Sequence, residues 1–160
     1  MKYRHNTARQ FRLLWRHLRF SRLASWGKHN EKKLETLKQL FIISNDFLQD
    51  LEVDYWLIHG TLLGYYRSGK PLKGDVDIDF GAPEQAYRKI LSAADSLPNG
   101  FKLYDTSFNH YGPKLYIAHK GWEADIYFYK PEENLLKPYE KDLAAGYEQP
   151  LEKSWIYPLK

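Results

Sequence analysis

Residues 75–80, DVDIDF, alternate strictly between acidic and apolar side chains. Successive side chains of a β-strand point to opposite faces, so this pattern predicts a strand with three carboxylates on one face. Like charges placed side by side repel, and burial would force some of them to take up protons. A divalent cation removes the repulsion, because Mg²⁺ and Mn²⁺ prefer carboxylate oxygens. The alternation therefore favours a Mg²⁺ or Mn²⁺ site with Asp75, Asp77 and Asp79 as ligands.

The acidic pattern has two simpler explanations. An edge strand can carry charges that prevent aggregation without binding any ligand. A calcium loop of the EF-hand type would require Gly at Phe80 and a carboxylate at Ala86, and the chain has neither. The residues that precede the acidic strand favour the metal site over both explanations.

These preceding residues predict a phosphate-binding helix start. Residues 55–58, YWLI, are typical of a short buried strand, and Gly60 and Thr61 follow where a helix is expected to begin. Backbone N–H groups at a helix N-terminus bind phosphate oxygens, so we expect Gly60 and Thr61 to hold a phosphate. A turn over residues 68–74 then leads to the acidic strand. A phosphate site beside a metal-binding strand indicates phosphoryl or nucleotidyl transfer.

A second acidic strand is predicted at residues 123–129, EADIYFY. Its Glu123 and Asp125 fall on one face. A carboxylate from a neighbouring strand would complete the metal site begun by Asp77 and Asp79, and would help to deprotonate an attacking hydroxyl. Read alone, the strand is also consistent with acids that are merely exposed, so the interpretation depends on its pairing with the first acidic strand. Of its two acids, we expect Asp125 to be the ligand.

The composition fits one folded domain rather than a disordered chain. The 160 residues include 13 Tyr and 5 Trp and no Cys, which excludes disulfides and thiolate metal sites. No stretch reaches the roughly 20 apolar residues that a membrane-spanning helix needs. We predict a basic helical leader over residues 1–28 and a single domain over residues 29–160.

The net charge of +4 is concentrated in the leader. Residues 1–30 contain eight Lys or Arg and no acid, so the remainder carries −4, and we do not expect nucleic acid to be a partner. Within the leader, residues 7–24 predict an amphipathic helix with Trp15 and Leu18 on one face and Arg12 and Arg16 on another. Such a helix docks on its own domain, lies on an anionic membrane surface, or serves as a transit peptide.

The remaining elements follow from hydrophobic periodicity. A helix capped by Asn30 is predicted over residues 31–51, and another is predicted to start at Pro83 and to end near residue 97. Strands are predicted at residues 101–105, 114–118 and 123–129, and the last two should form a hairpin. From residue 131 onward we expect turns and short helical pieces.

The segment HGTLLGYYRSGKPLKGDVDIDF resembles the signature of the LicD/fukutin family. Its GTLLG block begins at Gly60, Arg67 matches the following arginine, and Asp125 matches a later acidic position. The resemblance implies an α+β fold of the nucleotidyltransferase (polymerase-β-like) type, a mixed sheet flanked by helices, here with an N-terminal helical extension. It also implies Mg²⁺- or Mn²⁺-dependent transfer of a phospho-alcohol, such as phosphocholine, from a CDP-activated donor to a glycan hydroxyl.

The resemblance assigns roles to individual residues. The catalytic residues would be Asp77, Asp79 and Asp125, which also bind the metal together with Asp75 at the rim. On the substrate side it implies donor contacts from Gly60, Thr61, Gly64 and Arg67. Lys73, which does not match the family pattern, is a further substrate-binding candidate as a point charge, with a solvated loop lysine as the alternative. We expect His59 to be a structural residue, and we regard His110 and Lys114 as candidates for the acceptor side.

The chain also departs from the family pattern. Lys73 and Gly74 stand where the family has Pro-Trp, and the sequence ends at Lys160, where family members continue into a substrate-binding portion. We therefore expect either a natural short form or a fragment. Two rival functions stay open at this point: a glycosyltransferase that binds a nucleotide sugar through Asp-x-Asp, and a catalytically inactive family member. The expected location is the cytoplasm, with membrane association through residues 7–24.

Overall fold

The computed structural model describes residues 27–110, 112–139 and 150–156. The chain divides into two units, Met1–Glu35 and Thr36–Lys160, and the second contains the whole sheet. The helix predicted over residues 7–24 lies outside the described residues, so its three interpretations stay predictions. No helix in the described ranges is long and apolar enough to cross a membrane.

A mixed β-sheet forms the centre of the second unit. Its main strands are β1 (Trp56–Leu57), β2 (Asp77–Pro83), β3 (Lys102–Asp105), β4 (Lys114–His119) and β5 (Trp122–Glu132). They are arranged in the order β1-β2-β5-β4-β3. Strands β2 and β5 are parallel, and the other neighbours are antiparallel. This arrangement confirms the predicted mixed sheet and places the two acidic strands side by side.

Two short strands extend the sheet beyond β5. They are β6 (Leu135–Lys137), which pairs with the end of β5, and β7 (Leu151–Glu152), which pairs with β6. A short helix, α5 (Lys153–Ile156), follows β7. The expectation of turns and short helical pieces after residue 131 was therefore wrong at β6 and β7, because β6 pairs with β5 and β7 pairs with β6, although these segments have little strand pattern of their own.

The predicted hairpin between β4 and β5 is confirmed. His119 pairs with Trp122 across a two-residue loop, Lys120 and Gly121. Both loop residues have left-handed backbone angles, with φ values of 47° and 84°. Such a loop matches the twist of the strands it joins, which fixes the register of the hairpin.

The helices of the chain are less regular than the sequence predicts. Besides α5, the described residues form α1 (Gly27–Asp50), α2 (His59–Ser68), α3 (Tyr87–Ser92) and α4 (Ser107–His110), with 3₁₀ turns at Glu84–Ala86 and Ala94–Ser96. Asn30 lies inside α1 and is therefore not its cap. Pro83 ends β2 instead of starting a helix, because Ala82 and Pro83 remain in register with β5. Pairing between strands here outweighs the local preference of proline for a helix start.

The hydrophobic core lies on one face of the sheet, against α1. The buried residues of α1 are Leu37, Leu40, Phe47 and Leu48, and the strands contribute Ile78, Phe80, Leu115, Ile117, Ala124 and Ile126. The apolar stripe predicted for this helix is therefore core. Because side chains alternate along a strand, burial of Ile78 and Phe80 turns Asp77 and Asp79 to the opposite face.

Gly81 of β2 permits a close approach of Trp56 from β1. A Cβ atom at Gly81 would lie 2.3 Å from Trp56 Nε1 and 2.6 Å from Trp56 Cε2. The indole also packs against Tyr129, with ring centroids 5.5 Å apart. The indole therefore lies across the glycine, in the position that a side chain would fill.

We predict that Gly81→Ala lowers the free energy of unfolding by about 1–3 kcal/mol, because the added methyl group overpacks this contact. Urea denaturation measures the loss. The matched control is Gly74→Ala, where a Cβ would meet no atom within 4 Å. Equal stability of the two variants would contradict this account of Gly81.

Candidate active site

Three carboxylates from two neighbouring strands meet on the face of the sheet opposite the core. Asp79 of β2 is in register with Asp125 of β5, and Asp77 lies two residues earlier on the same face. One carboxylate oxygen from each of these residues lies within 4.8 Å of the other two. In the structure, Asp125 therefore lies close to Asp77 and Asp79, as predicted. We call these three residues the acid cluster.

The acid cluster suits a hard divalent cation. Its donors are carboxylate oxygens, which Mg²⁺ and Mn²⁺ prefer over other ligands. Oxygens bound to one Mg²⁺ at about 2.1 Å lie roughly 3–4 Å from one another. Small side-chain rotations would bring the three oxygens to that spacing, so the residues present fit the predicted metal. Their roles as ligands stay predictions.

The environment of Asp79 disfavours its charged form. Burial is the main cause, and the neighbouring carboxylates of Asp77 and Asp125 add to it, so the pKa of Asp79 rises to about 8. The nearby charges of His59 and Lys114 act in the opposite direction and lower this pKa. Without a bound cation, Asp79 therefore holds a proton at neutral pH, as expected for crowded carboxylates.

Lys114 is part of the acid cluster's surroundings. Its side chain is 6% exposed, and its Nζ lies 3.3 Å from Asp125 Oδ2. The same ammonium group lies over the ring of Tyr127, 3.6 Å from the centroid, and the Tyr127 hydroxyl donates to Asp125 Oδ2 at 3.4 Å. From the sequence, Lys114 is a candidate for the acceptor side only, and its contact with Asp125 depends on the register of β4 against β5, which no local pattern specifies.

The start of α2 is joined directly to the acidic strand. Thr61 is 1% exposed, and its Oγ1 accepts a hydrogen bond from the backbone N–H of Asp79 at 2.9 Å. The helix begins at His59, after an extended residue, Ile58. This hydrogen bond fixes the predicted phosphate-binding helix start beside the acid cluster. A contact of Gly60 or Thr61 with a phosphate stays a prediction.

Asp75 does not lie where the sequence pattern placed it. Strand β2 begins at Asp77, and Asp75 belongs to the preceding turn, outside the acid cluster. Its Oδ2 accepts a hydrogen bond from the backbone N–H of Leu72 at 3.0 Å. A Cβ at Gly60 would lie 2.7 Å from Asp75 Oδ1, so this carboxylate packs against the start of α2. The predicted place of Asp75 on the strand is therefore corrected, because its carboxylate closes the turn, and its role as a metal ligand at the rim stays a prediction.

The other predicted substrate residues lie on α2 and the turn after it. A Cβ at Gly64 would lie 2.8 Å from the carbonyl oxygen of Lys70, so this glycine allows the turn to pack closely on the helix. Arg67 is exposed in the last turn of α2, and Lys73 is exposed in the following turn. The structure thus explains Gly64 by packing, and the substrate contacts of all three residues stay predictions.

His59 was expected to be structural, but it is exposed and faces the site. Its ring meets the ring of Tyr127 edge-on, with centroids 5.8 Å apart, and its charge influences Asp79. Its φ of 52° is left-handed, which is uncommon for a residue other than glycine. Residues with strained backbone angles are concentrated at functional sites. The residue type of His59 alone does not predict this strain.

Comparison with known proteins identifies the domain. Residues 52–160 match the nucleotidyltransferase domain of the LicD/FKTN/FKRP family. The chain belongs to the LicD/FKTN/FKRP family. The match covers both acidic strands and α2, so the acid cluster lies inside the LicD nucleotidyltransferase domain. No curated protein matches the chain.

One solved structure with a similar fold is the solution structure of the antibiotic-resistance factor ANT(2'')-Ia. It shares 15% sequence identity with the present chain, with a TM-score of 0.49. The alignment covers 67% of this chain and 54% of that protein, so this chain spans about half of its length. The nucleotidyltransferase fold assignment rests on the family match and the observed sheet.

We predict that Thr61→Val lowers the free energy of unfolding by about 1–3 kcal/mol, because the Asp79 N–H loses its hydrogen-bond acceptor. Thr61→Ser keeps the hydroxyl and serves as the matched control, so it should retain most of the stability. Urea denaturation of both variants provides the measurement. If valine were tolerated better than serine, the hydrogen bond would not hold α2 to β2.

We also predict that the metal-free protein loses stability as pH rises from about 4 to about 8. The pKa of Asp79 is about 8 in the folded state and 3.8 for an unperturbed Asp, as in the unfolded chain, so the folded state binds more protons across this window. Unfolding then becomes more favourable with rising pH. Asp79→Asn removes this contribution, and the variant should be the more stable protein at pH 8.

Urea denaturation in the presence of a chelator, at several pH values, tests this pH dependence. Asp95→Asn is the control, because Asp95 is exposed in the 3₁₀ turn after α3. It should keep the slope of the native protein. An identical slope for Asp79→Asn would show that Asp79 is already ionised in the folded protein.

Proposed function

We propose that this domain transfers a phospho-alcohol, such as phosphocholine, from a CDP-activated donor to a glycan hydroxyl in a reaction that depends on Mg²⁺ or Mn²⁺. The observation that carries the proposal is the acid cluster, three carboxylate oxygens within 4.8 Å of one another inside a LicD nucleotidyltransferase domain. The choice of a CDP donor and a glycan acceptor rests on the resemblance to the LicD/fukutin family.

Asp77, Asp79 and Asp125 would hold the cation. When bound, it would neutralise the charge that develops on the transferred phosphoryl group and its leaving group. The chain's own part is to fix its ligands in place. The backbone of Asp79 is held by Thr61, and the carboxylate of Asp125 is held by Lys114 and Tyr127. Catalysis of this kind consists mainly of positioning and charge stabilisation.

The start of α2 would take the donor phosphates. The helix contains ten residues, His59–Ser68, so its first N–H groups carry the partial positive charge of a full helix. The Thr61 hydrogen bond keeps this helix end beside Asp79. Exposed Arg67, in the last turn of α2, and exposed Lys73 would supply further positive charge to the donor, with Arg67 able to bind a phosphate through two N–H groups. Phosphate and metal would thus meet at the junction of α2 and β2.

We predict that Asp77→Asn or Asp79→Asn lowers the metal-dependent transfer rate by about 100-fold or more, because each removes a charged ligand from the reacting centre. The assay measures CMP release from CDP-choline and from CDP-ribitol with Mn²⁺ and a glycan acceptor. Asp95→Asn is the matched control and should retain the native rate. Circular dichroism verifies that the variants are folded.

The same assay separates the proposal from its rivals. A UDP-sugar replaces the CDP donor in a parallel reaction, and an Asp-x-Asp glycosyltransferase would use it in preference. An inactive family member would release no CMP from any donor. Full activity of Asp77→Asn and Asp79→Asn with a CDP donor would show that the acid cluster is not the reacting centre.

A further inference from the structure

We propose that Lys114 is a fixed cation of the acid cluster and that the centre consequently binds one divalent ion rather than two. This inference rests on the metal centre of the proposed function. It starts from the ion pair between Lys114 Nζ and Asp125 Oδ2, 3.3 Å apart, in which both side chains are buried.

The charge balance supports a single ion. With an ion bound and all three carboxylates ionised, the acid cluster carries a charge of −3, and the ammonium group of Lys114 reduces it to −2, which one divalent cation neutralises. The nearby charge of His59, which acts on Asp79, makes a second cation still less favourable. A pair of ions in a two-metal site lies about 3.5–4 Å apart and shares its carboxylate ligands. Lys114 already occupies one side of Asp125, where such sharing would take place. A second ion would therefore meet a positive charge at close range.

The ammonium group is held in position on several sides. It lies over the ring of Tyr127, 3.6 Å from the centroid, and the Tyr127 hydroxyl donates to the same oxygen of Asp125. A cation over an aromatic face is stabilised by the ring, and more so when it is desolvated. Exposed lysines swing freely, whereas this one is confined between a ring and a carboxylate.

The backbone of Lys114 is fixed as well. Its N–H donates to Ser107 Oγ at 3.0 Å, and its carbonyl oxygen accepts from the backbone N–H of Thr106 at 2.9 Å and from the Thr106 hydroxyl at 3.2 Å. Lys114 is thus anchored through both its backbone and its side chain. This anchoring distinguishes a permanent countercharge from a lysine that moves away when a metal ion arrives.

A buried ion pair is a weak source of stability, because two charges must be removed from water. The Lys114–Asp125 pair is therefore poorly explained by stability alone. Its position beside Asp77 and Asp79 gives it a different consequence: the positive charge lowers the affinity of the acid cluster for further cations. Lys114 would thus set both the number of ions and the strength of their binding.

The test is a titration of the native protein with Mn²⁺ alone, without nucleotide. Calorimetry measures the heat of binding, and electron paramagnetic resonance measures the concentration of free Mn²⁺. We expect one Mn²⁺ per chain. Lys114→Met and Lys114→Gln remove the positive charge, and Gln keeps a hydrogen-bond donor for Asp125. Each variant should bind Mn²⁺ about tenfold more tightly or better, because a repelling charge near the ion is gone.

The matched control is Lys130→Met. Lys130 also lies over a tyrosine ring, 4.8 Å from the centroid of Tyr139, but it is exposed. Its replacement should leave the Mn²⁺ affinity unchanged. A thermal melt of each variant with and without Mn²⁺ provides a second readout, in which the ion should stabilise the Lys114 variants more than the native protein.

Each outcome decides the inference. Two Mn²⁺ ions per native chain would overturn it, as would an unchanged affinity in a folded Lys114→Met or Lys114→Gln. A variant that folds only with Mn²⁺ would support it, because the ion then replaces the ammonium group. If neither variant folds at any Mn²⁺ concentration, Lys114 is a structural residue and the inference fails. Absence of Mn²⁺ binding by the native protein would instead overturn the metal centre of the proposed function.

Discussion

The parallel pairing of β2 with β5 is the constraint on which the candidate site depends. Its register sets Asp79 beside Asp125 and, on the other face, continues the core through Ile78, Phe80 and Ile126. A slip of one residue in either strand would turn its acids into the core and its apolar residues to the site. Burial of the apolar face thus fixes the position of the carboxylates, and the hydrophobic core determines the geometry of the polar site.

This register has an electrostatic cost. It brings three carboxylates together at a partly buried position, and the raised pKa of Asp79, about 8, is the result. The fold offsets part of the cost with Lys114, whose ammonium group is paired with Asp125, and with the nearby charge of His59. The remaining negative charge is what a divalent cation would neutralise. A site prepared in this way would need little rearrangement to bind such an ion, and preorganisation of this kind favours catalysis of phosphoryl transfer in general.

The second requirement is that the helix start and the acid cluster remain together. Thr61 provides this connection through its hydrogen bond to the backbone of Asp79, and Asp75 supports it from the turn that precedes β2. Gly60 and Gly64 allow the turn to lie directly on α2, where a Cβ would collide with it. Gly60, Thr61 and Gly64, which the sequence predicts as substrate ligands, therefore share a structural role: they hold α2 against β2 and the turn that precedes it.

The sequence by itself determined the local features of this protein. Strict alternation identified the two acidic strands and the shared face of Asp77 and Asp79, and the apolar stripe of α1 identified its core face. Both patterns depend only on the periodicity with which side chains change direction along a strand or a helix. The tertiary structure decided the rest. The contact of Lys114 with Asp125 depends on strand register, and the placement of Asp75 in a turn and of Pro83 in β2 depends on where pairing with β5 begins and ends. Such partners are distant along the chain, so no local pattern encodes them.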